Sequence, residues 1–223
     1  MSHRFVRPSG LIIGCCVLLS LSSVNAVTAT NAFGLADVMA AMAQVTASRA
    51  EFIETKTLAV LTQPLVITGT LAYQRPDRLE RQTRSPNAEH MVVEGDRLTL
   101  EYGAGSSNGS NGPNSPNGAN GLNSPNVPKR DKRSFALALN PVLWAFVESI
   151  RATLAGNGAV LEKFYWVRTE GTLRDWTLNL EPRNAQIAAH VQQIRLFGSG
   201  PRIERIEVFE ANGDRSVTRI KPL

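Results

Sequence analysis

The side chains in this sequence that could do acid–base, nucleophilic or metal chemistry are few and scattered. Past residue 26 only two histidines occur, His90 and His190, and neither has a second His, a Cys or a paired carboxylate nearby. A zinc-type site would need further ligands from remote segments, so both read as partly exposed residues of a strand and a loop. Ser199 sits in Gly198-Ser199-Gly200, but a strand follows where a serine hydrolase elbow needs a helix. Glu80, Glu89, Glu94 and Glu101 could supply the two carboxyls, about 5–9.5 Å apart, of glycoside chemistry. No aromatic sugar platform accompanies them, and a solvated sheet surface accounts for them better. Gly95 and Gly213 are isolated turn glycines, not a phosphate-binding loop. The expectation is a protein that is not an enzyme and uses no metal or cofactor, with a periplasmic hydrolase as the lesser alternative.

The remaining reactive side chains, Cys15 and Cys16, belong to a segment that reads as a removable address. Residues 1–26 combine a basic start (Arg4, Arg7), an apolar run over 11–21 and the small-residue ending Val24-Asn25-Ala26. These are the three parts of a secretory signal peptide, and the run is too short for the roughly 20 residues of a membrane-spanning helix. Ile12-Ile13-Gly14-Cys15 superficially matches a lipoprotein cleavage box, but most of the apolar run lies after Cys15 and would be lost from the signal. Cleavage after Ala26 discards both cysteines, leaving no disulfide and no thiol site. It also removes Arg4 and Arg7, lowering the formal charge of +5 by two. That balance is too mild for a nucleic-acid binder. The expected product is a monomeric periplasmic domain over residues 27–223.

One tract interrupts that domain. Residues 103–128 are dominated by Gly, Asn, Ser and Pro, with Asn at every third position from Asn108 to Asn126, and Lys129-Arg130-Asp131-Lys132-Arg133 follows. Such a segment has little to bury, and a disordered loop over 103–133 is expected. Before it, Leu35, Val38, Met39, Met42 and Val45 recur at helical spacing. Strand-like runs follow at 51–61, 66–73, 89–93 and 97–102, the last two flanking the Glu94-Gly95-Asp96 turn. After it, Asn140 can cap a helix with Pro141 in its first position and a stripe of Leu143, Phe146, Val147, Ile150 and Leu154, ended by Gly156. Further strands are expected at 160–169, 176–180, 191–197, 202–209 and 215–220. Strands succeeding one another without long crossovers imply an antiparallel sheet with two helices against its concave side.

Four passages, taken in order, resemble the LolA family of periplasmic lipoprotein carriers. The opening helix runs into Ala50-Glu51-Phe52-Ile53-Glu54-Thr55-Lys56. Gly69-Thr70-Leu71-Ala72-Tyr73-Gln74-Arg75-Pro76-Asp77 is similar to the family's Gly-x-Leu-x-x-x-Arg-Pro signature. Val92-Val93-Glu94-Gly95-Asp96-Arg97-Leu98-Thr99-Leu100 resembles the hairpin that follows. The last is the C-terminal series of Trp176 to Pro182, Ile194 to Leu196 and Gly213 to Ser216. The resemblance implies an α+β, mainly β fold: a half-open antiparallel barrel with helices as a lid on its concave face. It implies that Arg75, with Pro76, hydrogen-bonds lid backbone and switches an apolar cavity between closed and open. Candidates for the lining are Phe52, Leu79, Met91, Val93, Leu143, Trp144, Phe146, Val147 and Ile150, any of which could instead be ordinary core.

The function so implied is carriage. Exposing an acyl chain costs about 0.8 kcal/mol per methylene, so an acylated molecule crossing an aqueous compartment needs a sheath. The expected cargo is an acylated lipoprotein, received from an inner-membrane exporter and passed to an outer-membrane acceptor. Two departures widen the choice to a glycolipid or another acylated envelope molecule. Leu79 stands among Arg78, Glu80 and Arg81 where the family has aromatics, and the chain ends at Leu223 without the family's extra C-terminal helix and strand. A lipid-sensing module for a membrane-protein partner is the alternative from a different class.

Overall fold

The computed structural model describes residues 33–102 and 131–223. Residues 1–26, expected to be a signal peptide, both cysteines and the Asn-rich tract up to Arg130 lie outside the described residues. Helix α1 (Leu35–Met42) leads into β1 (Ala47–Thr57), β2 (Leu65–Gln74), β3 (Arg78–Ser85), β4 (Glu89–Glu94), β5 (Arg97–Tyr102) and β6 (Asp131–Ala136). A 3-10 turn, Leu137–Leu139, precedes α2 (Pro141–Ala155) and α3 (Gly158–Phe164). The chain ends with β7 (Tyr165–Thr172), β8 (Asp175–Pro182), α4 (Ala185–Ala188), β9 (Val191–Ser199), β10 (Arg202–Glu210) and β11 (Arg215–Pro222).

All eleven strands form one antiparallel sheet, ordered β6-β5-β4-β3-β2-β1-β11-β10-β9-β8-β7. Two meanders meet at its centre, where β1 pairs with β2 on one side and β11 on the other. The edge strands β6 and β7 do not pair with each other, so the sheet is open. The path from one edge to the other runs through α2 and α3, which brings α2 across the concave face.

Sequence and structure differ in several places: β1 ends at Thr57, so residues 58–61 lie outside the strand expected over 51–61, and the short helix α4 was not expected. Residues 131–133, assigned above to the polar loop, begin β6, which pairs with β5 from Tyr102↔Asp131 to Arg97↔Ala136. Strand β3, Arg78–Ser85, has no apolar alternation to announce it and is held by ladder pairing to β2 and β4. Residues 160–164, expected as strand, close helix α3. The Asn157 side chain accepts from Val160 N and caps that helix, and Leu161 is buried, so capping and burial override the β preference of Val160 and Phe164. Helix α2 follows the expected pattern: Asn140 Oδ1 accepts from Leu143 N, Pro141 occupies the first turn, and Gly156 closes the helix at φ 71°.

The core is in two parts. One joins Val38, Met39 and Met42 of α1 and Ala152 of α2 to Tyr165, Trp176, Leu178, Leu180, Ile194 and Leu196 of β7–β9. The other joins Val93 and Leu98 to Leu137 and Val147, with Leu79, Met91 and Leu143 packed on it. Between them the sheet's centre is bridged by α2 without being filled.

At that centre Phe52 of β1 faces Gly69 of β2. A Cβ on Gly69 would meet the Phe52 ring at 2.7 Å and would run into the Gln82 carbonyl of β3. Gly69→Ala is therefore expected to destabilise the fold by about 1–3 kcal/mol, as overpacking does. Urea denaturation checks this; an unchanged midpoint would show that both the ring and the β3 backbone at Gln82 can give way.

Candidate functional site

Side chains alternate along each strand, and the register puts Ala50, Leu71, Arg81 and Met91 in one row on the concave face. Tyr73, Leu79 and Val93 form the next row. Opposite them α2 presents Leu143, Phe146, Val147, Ile150 and Leu154, one stripe at three- and four-residue spacing. The two surfaces enclose a cavity of about 1140 Å³, whose other wall includes Ile206 and Val208 of β10 and Ile220 of β11. This exceeds the roughly 300–1,000 Å³ of pockets for drug-sized ligands. Most of its wall is aliphatic or aromatic, so its chemistry is to exclude water from a hydrocarbon.

The structure brings seven of the nine lining candidates to this cavity: Leu79, Met91, Val93, Leu143, Phe146, Val147 and Ile150. Phe52 and Trp144 are elsewhere. The Phe52 ring is almost fully buried, with the Arg81 guanidinium stacked 4.3 Å above it, so arginine and not phenylalanine faces the cavity there. Trp144 lies one position off the α2 stripe and turns toward α3, meeting Phe164 edge-on with ring centroids 4.9 Å apart.

Two arginines tie the lid to the sheet. Arg75, between β2 and β3, donates from Nη2 to the carbonyl of Ala43 at the end of α1 (2.7 Å) and, longer, to that of Ala155 at the end of α2 (3.5 Å). Both acceptors are at helix C-termini, where the helix dipole favours a cation. The Arg75–Pro76 peptide is cis. Arg151 of α2 donates to the Gly95 carbonyl (2.7 Å) in the β4–β5 turn and to Glu148 (2.8 Å), with Asp77 at 3.7 Å. Sequence reading passed over Arg151; an arginine next to Ile150 within an apolar helix is the signal that marks it.

Of the residues considered for catalysis three meet, contrary to the reading of His90 as lacking a carboxylate partner: His90 has Glu80 on Nε2 at 2.9 Å and Glu101 by Nδ1 at 3.9 Å, while His190, Ser199 and Glu94 lie apart from them. Glu94 pairs with Arg78 (3.2 Å), and Glu101 pairs with Lys132 (2.8 Å). Burial raises the Glu80 pKa, but His90 and Arg78 outweigh it and the net shift is downward. That is a carboxylate held ionised in a surface ladder, not a general acid. His190 is exposed and borders the cavity. Ser199 ends β9, and Gly200 turns the chain into β10. Among the described residues no group of three His, Cys, Asp or Glu could hold a metal ion, and no helix is long and apolar enough to cross a membrane.

The sequence that builds this half-open sheet and the helix across it matches a family profile. The profile described as "Outer membrane lipoprotein carrier protein LolA-like" matches residues 27–108 and 126–221. The chain belongs to this LolA-like family. No curated protein matches it. Among solved structures, this LolA-like chain is similar to a LolA superfamily protein from Nitrosomonas europaea, at 10% identity and TM-score 0.39, covering 85% of this chain and 92% of that one. It is also similar to the MucA/MucB complex structure of Pseudomonas aeruginosa, at 11% identity and TM-score 0.40, covering 83% of this chain and 55% of that one. LprF from Mycobacterium bovis matches at 9% identity and TM-score 0.34, covering 84% and 89% of the two chains.

Proposed function

We infer that this chain is a periplasmic carrier that sheathes the acyl chains of a lipoprotein or other acylated envelope lipid and shuttles it from the inner to the outer membrane. The observation that carries the reading is the cavity of about 1140 Å³, roofed by α2 and walled mainly by apolar side chains. A packed core would instead leave few voids larger than a water molecule. Each methylene that moves into such a space gains about 0.8 kcal/mol, which suffices to hold a chain out of water. Beyond the packing of Val147 and Ala152 into the two cores, the roof's polar ties to the sheet side, from Arg75 to Ala155 and from Arg151 to Gly95, lie at its C-terminal end.

The test is direct. Protein purified from a native periplasm is expected to release acyl lipid on denaturation, seen by mass spectrometry. The delipidated protein is expected to bind a fluorescent fatty-acyl probe and to carry it between donor and acceptor vesicles. Protein that carries no lipid and takes up no probe would overturn the reading.

A further inference from the structure

The cavity is not uniformly apolar. Where the floor passes from β3 to β1, three charged side chains meet. Glu54 is 5% exposed; its carboxylate accepts from Arg81 Nη2 at 2.6 Å and has Lys56 Nζ at 3.7 Å. All three line the cavity. The register places Thr218 opposite Glu54 and Ser216 opposite Lys56, and these two buried side chains line it too.

Within this group two cations share one carboxylate. Arg81 is stacked on Phe52 and gives one nitrogen to Glu54; among the described residues, its other guanidinium nitrogens have no acceptor. The other charged residues along the wall do not reverse this balance. Glu80 is engaged with His90 and Arg78, Arg49 and Arg202 are exposed, and Glu210 is half-buried. A purely hydrocarbon occupant lying on this floor would desolvate the charges and return nothing for them. A buried ion pair is also not required for stability, since apolar replacements often serve as well.

Building on the carrier reading, we propose that Arg81, Lys56 and the Ser216 and Thr218 hydroxyls form a subsite for an oxyanion of the cargo, a carboxylate or a phosphate. The cargo is then an anionic amphiphile, its hydrocarbon under α2 and its head on the floor. The Arg81 fork suits a planar or tetrahedral oxyanion, and Glu54 holds the guanidinium in place while leaving part of its donor set free.

The experiment compares four ligands of equal chain length on the delipidated protein: a fatty acid, an alkyl phosphate, a fatty alcohol and a fatty-acid methyl ester. Binding is read by displacement of a neutral acyl probe at a pH where both acids are ionised. The wild-type protein is expected to prefer at least one oxyanion ligand over the alcohol and ester by about tenfold or more, the size of a charge-assisted contact. Which acid wins identifies the head group. Because Arg81→Gln alone leaves Glu54 buried beside a weaker partner, Glu54→Gln/Arg81→Gln and Lys56→Gln are made as well. Both are expected to lose the preference while keeping the affinity for the ester. Equal binding of all four ligands, or a preference that survives both variants, would overturn the subsite and leave the carrier reading standing. Binding of none would overturn both.

Discussion

Arg75→Leu protein is expected to bind a fluorescent acyl probe about tenfold more tightly than the wild type and to release it to acceptor vesicles correspondingly more slowly. Arg75 joins the ends of α1 and α2 to the sheet through hydrogen bonds to the Ala43 and Ala155 carbonyls. On the reading of Arg75 as a switch, these bonds hold α2 down and are loosened when cargo enters beneath it. Whatever they contribute to the closed form is therefore subtracted from cargo affinity. A charge-assisted hydrogen bond contributes about 1.5 kcal/mol at the lower end of its range, and about 1.4 kcal/mol is a factor of ten in binding. Because the affinity gain comes from stabilisation lost by the cargo-free protein, the thermal midpoint without cargo is expected to fall by about 3–6 °C at the same time. Arg151 and its contact to Gly95 remain to keep α2 attached. Unchanged affinity together with unchanged transfer would remove Arg75 from the role of switch.

Arg75 was marked out by the resemblance of its Arg-Pro pair to a family signature, whereas nothing marked the polar floor. Glu54, Arg81 and Thr218 come from β1, β3 and β11, and only the register Arg81↔Leu71, Leu71↔Ala50 and Glu54↔Thr218 brings them together. No spacing along the chain encodes that meeting. The same limit explains β3: Arg-Leu-Glu-Arg-Gln-Thr-Arg-Ser has one aliphatic residue, and its ion pairs reach to Glu51 and Glu54 of β1 and to Glu94 of β4. Its β character is supplied by neighbours. Helix α2, by contrast, carries its own cap, its proline and its stripe, so its bounds could be read directly. Trp144 shows where even that reading ends. The stripe says which residues face the sheet, but the direction of an aromatic one position off it depends on Phe164 of α3, an element the sequence had suggested as strand.

Filling the cavity separates container from core. Ala50 and Leu71 are register partners at the centre of the floor and both line the space. Ala50→Phe and Leu71→Trp, singly and together, are expected to leave the thermal midpoint unchanged or slightly raised, because the added rings occupy volume that no side chain holds. Probe affinity is expected to fall by more than about tenfold in each variant, and further in the pair, since the rings stand where hydrocarbon would lie beneath Phe146 and Ile150. Were these residues ordinary core, the same changes would cost about 1–3 kcal/mol each by overpacking. In a domain of this size that means a drop of about 2–4 °C per kcal/mol. Calorimetry and probe titration on the same samples thus give opposite signatures for the two cases. A stable, filled protein that still binds the probe at wild-type affinity would show that the acyl chain does not lie across the centre of the sheet.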